Sequence, residues 1–600
     1  MRRRTRKPRP KAPASPAKST REQQIENAEV ARVLREIGDL LELEGANAFR
    51  VRAYRNAARN IEELPQPVES FIGGEKVLTD IPGIGEDLAE KITEIARTGT
   101  HSMLRKLERK APKGAVELMH VRGIGPRRAR TLSEKLKIRS VKDLGTAARG
   151  GRVQTLRGFG AKTETAILRE LAVRATEERR MLRPSATQYG AELLAYLRHT
   201  QGVRQAELAG SFRRCRETVG DLDVLVASSA PALIVERFAT YPKAEAVLAR
   251  GRTRAAIRLR SGLRIDLRVV DEASFGSALH YFTGSKAHNI AVRRLGQARG
   301  LKLNEYGVFR GKRRLAGATE EEVFDAVGLP WIPPELRENN GELEAAAQHK
   351  LPRLVTLDDI RGDLQCHTTD SDGRDSLQAM ATAAQSLGYE YLAITDHSPA
   401  VRVATGLDAA GFRKQWRRID ALNAKLDDLT LLRGVEVDIH RDGTLDLDDR
   451  VLAGFDIALA SIHSYFSLPA AAQTARILRA LAHPAVDILA HPLGRQIGRR
   501  GAMDCDLDQI IRAAAEEGVW LEIDAQPERL DLDDVTSRHA LTRGATVVID
   551  SDAHSTAELG FMQWGVDQAR RGWVEPRHVA NSWPLERVLR SLRRARRSAA

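Results

Sequence analysis

Three aspartates and a Gly-Ser pair near the middle of the chain have the types and spacing of a site that binds divalent cations and phosphates. They occur in Gly210-Ser211-Phe212-Arg213-Arg214, in Gly220-Asp221-Leu222-Asp223, and in Arg264-Ile265-Asp266. Asp221 and Asp223 are two residues apart in an apolar run, so on a strand both carboxylates point to one face, where Asp266 from a neighbouring strand can join them. A single Asp-x-Asp is most often a solvated loop or cap, but a third aspartate on a second strand-like run favours a metal site.

Phosphoryl transfer is the chemistry that fits this set of residues. Mg²⁺ and Mn²⁺ take oxygen ligands and keep substrate phosphates in their shell, and two such ions about 4 Å apart activate an attacking oxygen and stabilise the leaving one. The Gly210-Ser211 turn supplies a hydroxyl and a backbone that a phosphate can approach closely, and Arg214 supplies a planar guanidinium. The spacing therefore predicts a two-metal site for a triphosphate.

The charge of the chain favours a nucleic-acid partner. Its 600 residues hold 95 Lys and Arg against 80 Asp and Glu, a formal net charge of +15, which attracts a polyanion without specifying a base sequence. Hydrophobic residues make up 42% of the chain, enough for several cores, and the length suggests about four domains. Cys215, Cys366 and Cys505 form neither a disulfide framework nor a zinc spacing, which indicates a reducing compartment.

The first 20 residues are rich in Arg, Lys, Pro and Ala and contain no acidic residue. They predict a disordered basic tail, which either adds phosphate contacts or has no role. The tail lacks the apolar block of a secretory signal, and no stretch of the chain approaches the roughly 20 apolar residues that span a bilayer. We therefore expect a cytoplasmic, nucleoid-associated protein without a membrane partner.

From Arg21 to about Arg180 the apolar residues follow helical spacing, and a short glycine unit recurs there. Its copies are Ile81-Pro82-Gly83-Ile84-Gly85, Val121-Arg122-Gly123-Ile124-Gly125 and Leu156-Arg157-Gly158-Phe159-Gly160. Two glycines around an apolar residue make a tight hairpin whose backbone N–H groups, at the start of the next helix, can bind a phosphate without reading a base. One such unit could be a plain turn between helices, whereas three in a basic chain favour binding to the DNA backbone.

The texture changes between Pro330 and Pro352 to a composition typical of a linker, and strand-like runs then alternate with helical ones. This alternation predicts a parallel sheet or barrel whose site lies at the carboxyl ends of the strands. Residue types that bind metals follow those runs, namely His367, Asp372, His397, Glu436, His463, His491, Asp552 and His554. A lone histidine after a strand is more often a satisfied loop residue. The repetition favours Zn²⁺ or Mn²⁺ ions, which lower the pKa of water and supply hydroxide at neutral pH.

At the three aspartates the sequence resembles the nucleotidyltransferases of the DNA polymerase X family, whose pattern runs Gly-Ser, two Arg, Gly-Asp-x-Asp and a distant third Asp. The resemblance continues in Tyr281-Phe282-Thr283-Gly284-Ser285 and Leu303-Asn304-Glu305-Tyr306. It implies phosphate binding by Gly210, Ser211, Arg214 and Gly220, a sugar-closing segment with Tyr281, Phe282 and Gly284 that disfavours a ribose 2′-hydroxyl, and contacts of Asn289 and Arg293 with the base and the template side. Ordinary core aromatics remain the alternative for Tyr281 and Phe282. The three hairpins look like the helix-hairpin-helix units of the same family.

From Asp358 to the C-terminus the sequence resembles the PHP (polymerase and histidinol phosphatase) family, a distorted seven-stranded β/α barrel that binds up to three metals. The resemblance gives ligand roles to the eight potential metal ligands named above. Gln365 departs from the pattern, because many members begin with His-x-His and the first position here is an amide. One metal then either loses a ligand or accepts an amide oxygen. Asp396, Asp438, Asp550 and His483 are interpreted as supporting residues.

Lys91 matches the position where some members of the polymerase family carry a Schiff-base lysine that removes a 5′-deoxyribose phosphate. The chemistry needs a lysine of depressed pKa near a sugar aldehyde. Asp87 replaces a basic residue one turn before it, which weakens the phosphate side of such a pocket. Lys91 is therefore either a lyase nucleophile or a surface lysine on a DNA-binding helix.

Together these features predict a multidomain protein of α+β and α/β class. We expect a basic tail (1–20), a lyase-type helical DNA-binding N-terminal domain (21–108), a helix-hairpin-helix fingers domain (109–180), a nucleotidyltransferase palm with a mixed β-sheet (181–272), a small thumb (273–335), a linker (336–357) and a PHP-type distorted (βα)7 barrel (358–600).

The function implied is a DNA-directed DNA polymerase that fills short gaps in DNA repair with two Mg²⁺ or Mn²⁺ ions. The fused phosphoesterase would use two to three Mn²⁺ or Zn²⁺ ions for 3′-5′ exonuclease, 3′-end processing or abasic-site (AP) endonuclease activity. The expected partners are gapped or damaged DNA and dNTPs, and the expected state is a monomer. The alternatives are an idle polymerase-like half that delivers DNA ends to the nuclease, a barrel that is only a metal-stabilised module, and a small-molecule phosphatase.

Overall fold

A computed structural model describes residues 27–62, 68–72, 77–81, 83–112, 114–119, 121, 124–156, 158–177, 180–401 and 404–592. The predicted basic tail and Gly123 of the second hairpin lie outside the described residues. The chain divides into two compact units, 1–171 and 172–600. Across the described ranges, no helix combines the length and the apolar character that crossing a bilayer requires.

The first unit is helical. Its helices are α1 (Asn27–Glu44), α2 (Ala48–Glu62), α3 (Glu86–Thr98), α4 (Ser102–Lys110), α5 (Ala115–Met119), α6 (Pro126–Leu136), α7 (Val141–Arg149) and the first part of α8 (Ala161–Glu177), which continues past residue 171, with short 3-10 helices at Val68–Phe71 and Leu78–Asp80. Val30, Leu34, Ile37 and Leu41 recur at helical spacing along α1 and are buried, so this helix packs one apolar face into the core. A second core lies among α5, α6, α7 and α8.

The second unit begins with the palm. Its elements are β1 (Met181–Leu182), α9 (Arg183–Arg198), β2 (Val203–Leu208), α10 (Gly210–Arg213), β3 (Thr218–Val219), β4 (Asp221–Ser228), α11 (Pro231–Ala239), β5 (Ala244–Arg250), β6 (Arg254–Leu259) and β7 (Arg264–Val270). Five of these strands form a sheet in the order β2-β4-β7-β6-β5, in which β4 and β7 are parallel and the other pairs antiparallel. The mixed sheet expected for the palm is therefore present.

The thumb follows, with α12 (Phe275–Thr283), α13 (Lys286–Ala298), β8 (Lys302–Asn304), β9 (Gly307–Arg310), β10 (Arg313–Ala316) and α14 (Glu320–Ala326), and 3-10 helices at Glu272–Ser274 and Pro334–Leu336. Strands β8, β9 and β10 form an antiparallel sheet. Segment 336–357, expected as a linker, contains helix α15 (Glu342–Ala347). Glu342 is fully buried there beside the His288 ring, so part of this connection is packed rather than an open loop.

The rest of the unit is a parallel barrel of βα repeats. Its elements are β11 (Gly362–Cys366), α16 (Leu377–Ser386), β12 (Tyr391–Ile394), α17 (Ala409–Asn423), β13 (Thr430–Asp438), α18 (Asp449–Leu452), β14 (Ile457–Ser461), α19 (Ala470–Leu481), β15 (Ile488–Leu489), α20 (Leu507–Glu517), β16 (Trp520–Asp524), α21 (Asp534–Thr542), β17 (Val547–Asp550), α22 (Met562–Arg571) and α23 (Leu585–Ser591), with 3-10 helices at Leu357–Asp359, Glu558–Phe561, Pro576–His578 and Ala580–Ser582.

The seven strands of this barrel pair in sequence order, and every pair is parallel. A parallel bridge between Cys366 and Ala553, and a 2.8 Å bond from the His367 amide to the Ala553 carbonyl, join the first strand to the chain just after the last. This nearly closed barrel confirms the predicted (βα)7 architecture. Its carboxyl strand ends lie on one rim, as the sequence pattern requires.

Candidate functional site

The three palm aspartates lie on the two parallel strands of the palm sheet. In the register of β4 and β7, Asp221 is aligned with Arg264 and Asp223 with Asp266. The predicted neighbouring strands therefore bring residues 223 and 266 side by side. Gly210, with a φ of 62°, lies against Asp223, and a Cβ on it would stand 2.2 Å from Asp223 Oδ2. Only glycine leaves room for the chain to pass so close to that carboxylate.

Asp266 is held by Arg264 in a two-bond ion pair. The Nε of Arg264 donates to Oδ2 at 2.7 Å and the Nη2 donates to Oδ1 at 2.8 Å. Among the described residues, the groups of acidic or histidine ligand atoms that converge within 4.8 Å of one another all lie in the barrel, and the palm aspartates form no such group. The palm carboxylates are thus adjacent through strand register, with the third one turned to an arginine.

The electrostatics of the palm site suit a cation. Burial, reinforced by the charges of Asp221 and Asp266, raises the pKa of Asp223 to about 7. The raised pKa reflects negative charge around this carboxyl group that is not fully compensated. A bound divalent ion can neutralise that charge. The donor set of three carboxylates therefore fits Mg²⁺ or Mn²⁺.

The arginines beside the Gly-Ser turn have different environments. Arg213 forms two 2.8 Å bonds to the carboxylate of Glu320 on α14, which the fully buried Arg337 also binds. Arg214 donates from Nε to Glu338 Oε1 at 3.1 Å and from Nη1 to the carbonyl of Thr283. Its side chain is 14% exposed. Ser211 is the second residue of α10, and Gly220 precedes β4.

The predicted sugar-closing segment ends helix α12. Tyr281 and Phe282 are partly buried and pack edge to face at 5.1 Å between ring centroids. Gly284 ends the helix with a φ of 70°, and Asn289 donates its amide to the Tyr281 carbonyl at 2.7 Å. The Arg293 guanidinium lies over the Tyr281 ring at 5.1 Å. The structure therefore connects four of these predicted residues to one another through Tyr281.

Described parts of the three glycine hairpins share one geometry. In each, the amide of the central apolar residue, Ile84, Ile124 or Phe159, bonds to the carbonyl three residues before it, and that side chain is buried. The glycines Gly83, Gly85, Gly125, Gly158 and Gly160 are all exposed, and Gly83 and Gly158 have φ values of +74° and +90°. Apart from the chain neighbours, no atom of the described residues lies within 4 Å of the place where a Cβ would stand on Gly85, Gly125, Gly158 or Gly160. Open backbone at a helix N-terminus suits a phosphate.

Lys91 lies on α3 and is engaged by the residue one turn before it. Its Nζ donates to the Asp87 carbonyl at 3.0 Å and to the Asp87 carboxylate, and its side chain is only 14% exposed. The hydrogen bond from Lys91 lowers the pKa of Asp87, because it stabilises the carboxylate form. An amine that donates to a carboxylate and a carbonyl in this way is held away from a sugar aldehyde, which its attack would require it to reach.

At the rim of the barrel the predicted metal ligands converge. Their groups, each within 4.8 Å, are His367, Asp372, His397 and His554; His397, Glu436 and His463; and His367, Glu436 and Asp552. Glu436 is at the centre, since its carboxylate oxygens lie 3.0 Å from His491 Nε2, 3.2 Å from His397 Nδ1 and 3.3 Å from His463 Nε2. His491 joins the site through Glu436 but belongs to none of the three groups.

His397, His491 and Glu436 at this rim have the protonation states that bind metal ions. Burial lowers the pKa of His397 to about 3 and that of His491 to about 4, so both imidazoles are neutral at pH 7. Burial acts to raise the pKa of Glu436, but the neighbouring imidazoles His397, His463 and His491 outweigh it and hold that pKa well below its usual range. Neutral imidazole and ionised carboxylate are the forms that bind metals.

His554 and the buried amide atoms support the same interpretation. Burial opposes charge on His554, yet Asp372 and Asp552 outweigh it and raise the pKa of His554 to about 10. The proton on His554 balances the negative charge of Asp372 and Asp552, which a bound metal ion would otherwise balance. His367 Nδ1 and Gln365 Oε1 are buried without a hydrogen-bond partner in the described part of the chain. This mixed nitrogen and oxygen donor set fits Mn²⁺ or Zn²⁺.

Buried acids behind the rim are residues that sequence reasoning missed. Asp363 accepts from the amides of Gln365 and Ser551 at 3.3 and 3.2 Å, and Glu522 accepts from the His491 amide at 2.5 Å. Asp524 accepts from the Gln526 amide at 2.7 Å. These carboxylates fix the loops that carry ligands. The available signal was an acidic residue within an apolar strand run, as in Trp520-Leu521-Glu522-Ile523-Asp524.

Asp396 and Asp438, interpreted from the sequence as supporting residues, also contact ligand loops. Asp396 accepts from the amide and hydroxyl of Thr368 at 2.8 and 2.6 Å. Asp438 accepts from the His463 amide at 3.1 Å and lies 3.2 Å from His463 Nδ1. A carboxylate on the second ring nitrogen orients an imidazole toward a metal.

Comparison with known proteins covers nearly the whole chain. The helix-hairpin-helix domain family matches residues 25–101, the SAM-like helix-hairpin-helix tandem 115–172, the DNA polymerase beta thumb 278–338 and the PHP domain 363–526. The chain is 38% identical over 558 residues to the DNA polymerase/3'-5' exonuclease PolX of Bacillus subtilis (strain 168), covering 92% of this chain and 97% of that protein. It is 30% identical over 207 residues to a probable phosphatase of Acetivibrio thermocellus, covering 33% and 81%, and 27% identical over 323 residues to DNA polymerase lambda of Rattus norvegicus, covering 48% and 52%.

Proposed function

The chain belongs to the bacterial family X DNA polymerases that carry a C-terminal PHP domain, and from that premise we propose which residues carry its two activities. It is a DNA-directed DNA polymerase fused to a metal-dependent 3′-5′ exonuclease or phosphoesterase. Our assignment of the polymerase site depends above all on the alignment of Asp223 with Asp266 in the palm sheet.

We propose that Asp221, Asp223 and Asp266 hold two Mg²⁺ or Mn²⁺ ions. When bound, such ions lower the pKa of an attacking hydroxyl and neutralise the charge of a leaving pyrophosphate. The Asp221 and Asp223 carboxylates would orient the triphosphate, and Asp266 would act on the side of the primer 3′-oxygen. The backbone at Gly210 passes close to Asp223 without a side chain between them. This supports the proposal that phosphate oxygens can approach the backbone beside the metal ligands.

The neighbouring side chains would position the nucleotide. Ser211, Arg214 and Gly220 hold its phosphates, while Tyr281 and Phe282, with Gly284, exclude a ribose 2′-hydroxyl. Asn289 and Arg293 contact the base and template side. Asn289 and Arg293 both contact Tyr281, which supports the proposal that these side chains act as one unit around the nucleotide.

We propose gapped or damaged DNA as the substrate and the hairpins as its anchor. Exposed, unobstructed glycines at helix starts can bind backbone phosphates on either side of a gap without reading bases. Deoxynucleoside triphosphates are the second substrate, and the protein acts as a cytoplasmic, nucleoid-associated monomer. Lys91 remains a proposed lyase nucleophile, with its pairing to Asp87 as the feature that would restrain it.

In the barrel we propose two to three Mn²⁺ or Zn²⁺ ions held by the eight predicted ligands. Bound ions would supply a nucleophilic hydroxide at neutral pH. The chain's own contribution includes two buried imidazoles beside Glu436, His397 and His491, whose lowered pKa values keep them neutral and free to bind an ion at pH 7. The proposed substrate is a DNA 3′ end or an abasic site. The likeness to a probable phosphatase over a third of the chain supports a small phosphomonoester as the second candidate.

One assay tests both assignments together. Purified protein is given DNA with a one-nucleotide gap and a 5′-phosphate, with and without Mn²⁺ and dNTPs, and both extension and degradation are followed. Extension by one nucleotide with dNTPs and shortening of the 3′ end without them are expected. Absence of extension would contradict the polymerase assignment, and hydrolysis of p-nitrophenyl phosphate without any DNA degradation would favour the phosphatase.

A further inference from the structure

Helix α22 of the barrel packs behind the phosphate-binding turn of the palm. Gln568 Nε2 donates to Glu217 Oε1 at 2.9 Å, and Arg495 Nη2 reaches the same oxygen at 2.5 Å. Arg183 of the palm forms an ion pair with Asp567. Glu217 belongs to residues 210–217, the segment that carries Ser211 and Arg214, and Arg183 lies over the Phe212 ring of the same segment at 5.3 Å, so the barrel contacts this segment directly through Glu217 and indirectly through Arg183.

Arg571 makes the contact closest to the proposed nucleotide site. Its Nη1 donates to the backbone carbonyl of Arg214 at 2.6 Å and to Glu338 Oε1 at 3.2 Å, and its Nη2 donates to Asp534 Oδ2 at 2.5 Å. The Arg571 side chain is 1% exposed. A guanidinium buried to this degree and bound in three directions has one geometry.

Glu338 is shared among three arginines, with Arg214 and Arg571 hydrogen-bonded to it and Arg216 Nη1 farther away at 4.0 Å. The same oxygen, Oε1, accepts from Arg571 and from Arg214 Nε, which lies 3.1 Å away. A carboxylate that serves Arg214 alone would neutralise the charge needed for a triphosphate. Because Arg571 takes part of that negative charge, Arg214 keeps a net attraction for phosphate while its position stays fixed.

We infer that Arg571 and Glu338 are positioning residues for nucleotide binding, so that the PHP barrel contributes to the polymerase site through α22 and independently of its metal ligands. The inference rests on the proposed role of Arg214 in holding the triphosphate. Arg571 shares Glu338 with Arg214 and holds the Arg214 backbone in place. Chemistry in the palm then depends on an arginine that the nuclease half provides.

The full-length protein with Arg571→Ala tests this inference through the KM for dNTP on one-nucleotide-gapped DNA. Without Arg571, Glu338 is left to Arg214 and to the more distant Arg216, whose Nη1 lies 4.0 Å from Oε1, so the KM is expected to rise about tenfold with kcat less affected. Adding Glu338→Gln removes the neutralising carboxylate and should return KM most of the way to wild type. A merely structural effect of Arg571 would not be rescued in this way. Arg590→Ala, an exposed arginine on α23, is the matched control.

The readings separate the inference from the assignment on which it rests. If Arg214→Ala raises KM but Arg571→Ala leaves it unchanged, the inference is overturned and the role of Arg214 stands. If Arg214→Ala itself leaves KM unchanged, the proposed triphosphate site is wrong. A rise with Arg571→Ala that Glu338→Gln does not reverse also overturns the inference. Should Arg571→Ala fail to fold by its thermal melt, Arg571→Lys, which keeps the charge but cannot span all three partners, replaces it with the same expected rescue.

Discussion

Asp223 lies directly opposite Asp266 across the parallel strands β4 and β7, while Arg264, two residues before Asp266, binds both of its carboxylate oxygens. The Arg264 side chain is 55% exposed, so solvent screens this pair and keeps it weak. A divalent cation at the same carboxylate can therefore displace the arginine. The palm site combines a fixed backbone alignment with a third carboxylate whose partner can change.

We expect the two activities to be separable by substitution. Asp221→Ala with Asp223→Ala should abolish gap filling while Mn²⁺-dependent degradation persists, because the barrel groups lie on other strands. His463→Ala with Asp552→Ala should do the reverse, since each residue belongs to a ligand group around Glu436. Extension and degradation of one labelled primer report both. Loss of both activities in either folded double variant would refute the two-site assignment.

Metal binding in the palm should depend on pH. The pKa of Asp223 is raised to about 7, so below pH 7 a proton competes with the ion and above it the carboxylate is free. Between about pH 6 and about pH 8 the Mg²⁺ affinity should rise about tenfold and then level off. Calorimetric titration of the His463→Ala/Asp552→Ala protein, in which two of the three barrel ligand groups are incomplete, measures this affinity.

Asp223→Asn is the control for that titration. It removes the titrating carboxyl group and should leave the remaining weak Mg²⁺ affinity nearly independent of pH over the same range. An affinity that does not change with pH in the parent protein would show that Asp223 does not compete with the ion for a proton.

Borohydride should trap Lys91 on incised abasic DNA, and Lys91→Ala should remove the adduct. The Lys91 amine is engaged by Asp87, and Asp87→Ala removes the carboxylate that holds it, so this variant should raise the trapped yield several-fold. Lys106→Ala, an exposed lysine on α4, is the matched control and should trap as the wild type does. A gel assay of the covalent complex measures the yield. An undiminished adduct in Lys91→Ala would remove the lyase proposal.

Much of the architecture follows from periodicity. Asp221 and Asp223 share a face because strand side chains alternate, and alternating βα runs end in ligand-bearing loops because parallel strands point the same way. Long-range partners do not follow from such patterns. Glu338 binds Arg214 across 124 positions, and Glu320 joins Arg213 and Arg337, because the packing of palm, thumb and barrel brings them together. The side-chain direction of Asp266 likewise depends on its arginine, which spacing alone does not reveal.

Gln365 is the residue at which the barrel departs from the expected ligand pattern. It is fully buried at the end of β11, its Nε2 lies 3.4 Å from Asp552 Oδ1, and its Oε1 has no hydrogen-bond partner in the described chain. An amide oxygen is a weaker ligand than imidazole for Mn²⁺ or Zn²⁺. Gln365→His should therefore place a nitrogen donor beside the group formed by His367, Glu436 and Asp552, and raise Mn²⁺ affinity by about tenfold or more.

Metal content after dialysis, measured by atomic emission, and Mn²⁺ titration calorimetry check this prediction apart from any activity. Gln385→His places the same residue type on the exposed side of α16 and should change neither measurement. Faster degradation of a 3′ end at limiting Mn²⁺ should accompany the gain in affinity, because more molecules would carry a complete set of ions. A bound ion lost in the Gln365→His protein would contradict this prediction. It would show that the amide oxygen is itself a metal ligand, which an imidazole at this position does not replace. The barrel of this chain would then use glutamine in place of the first histidine.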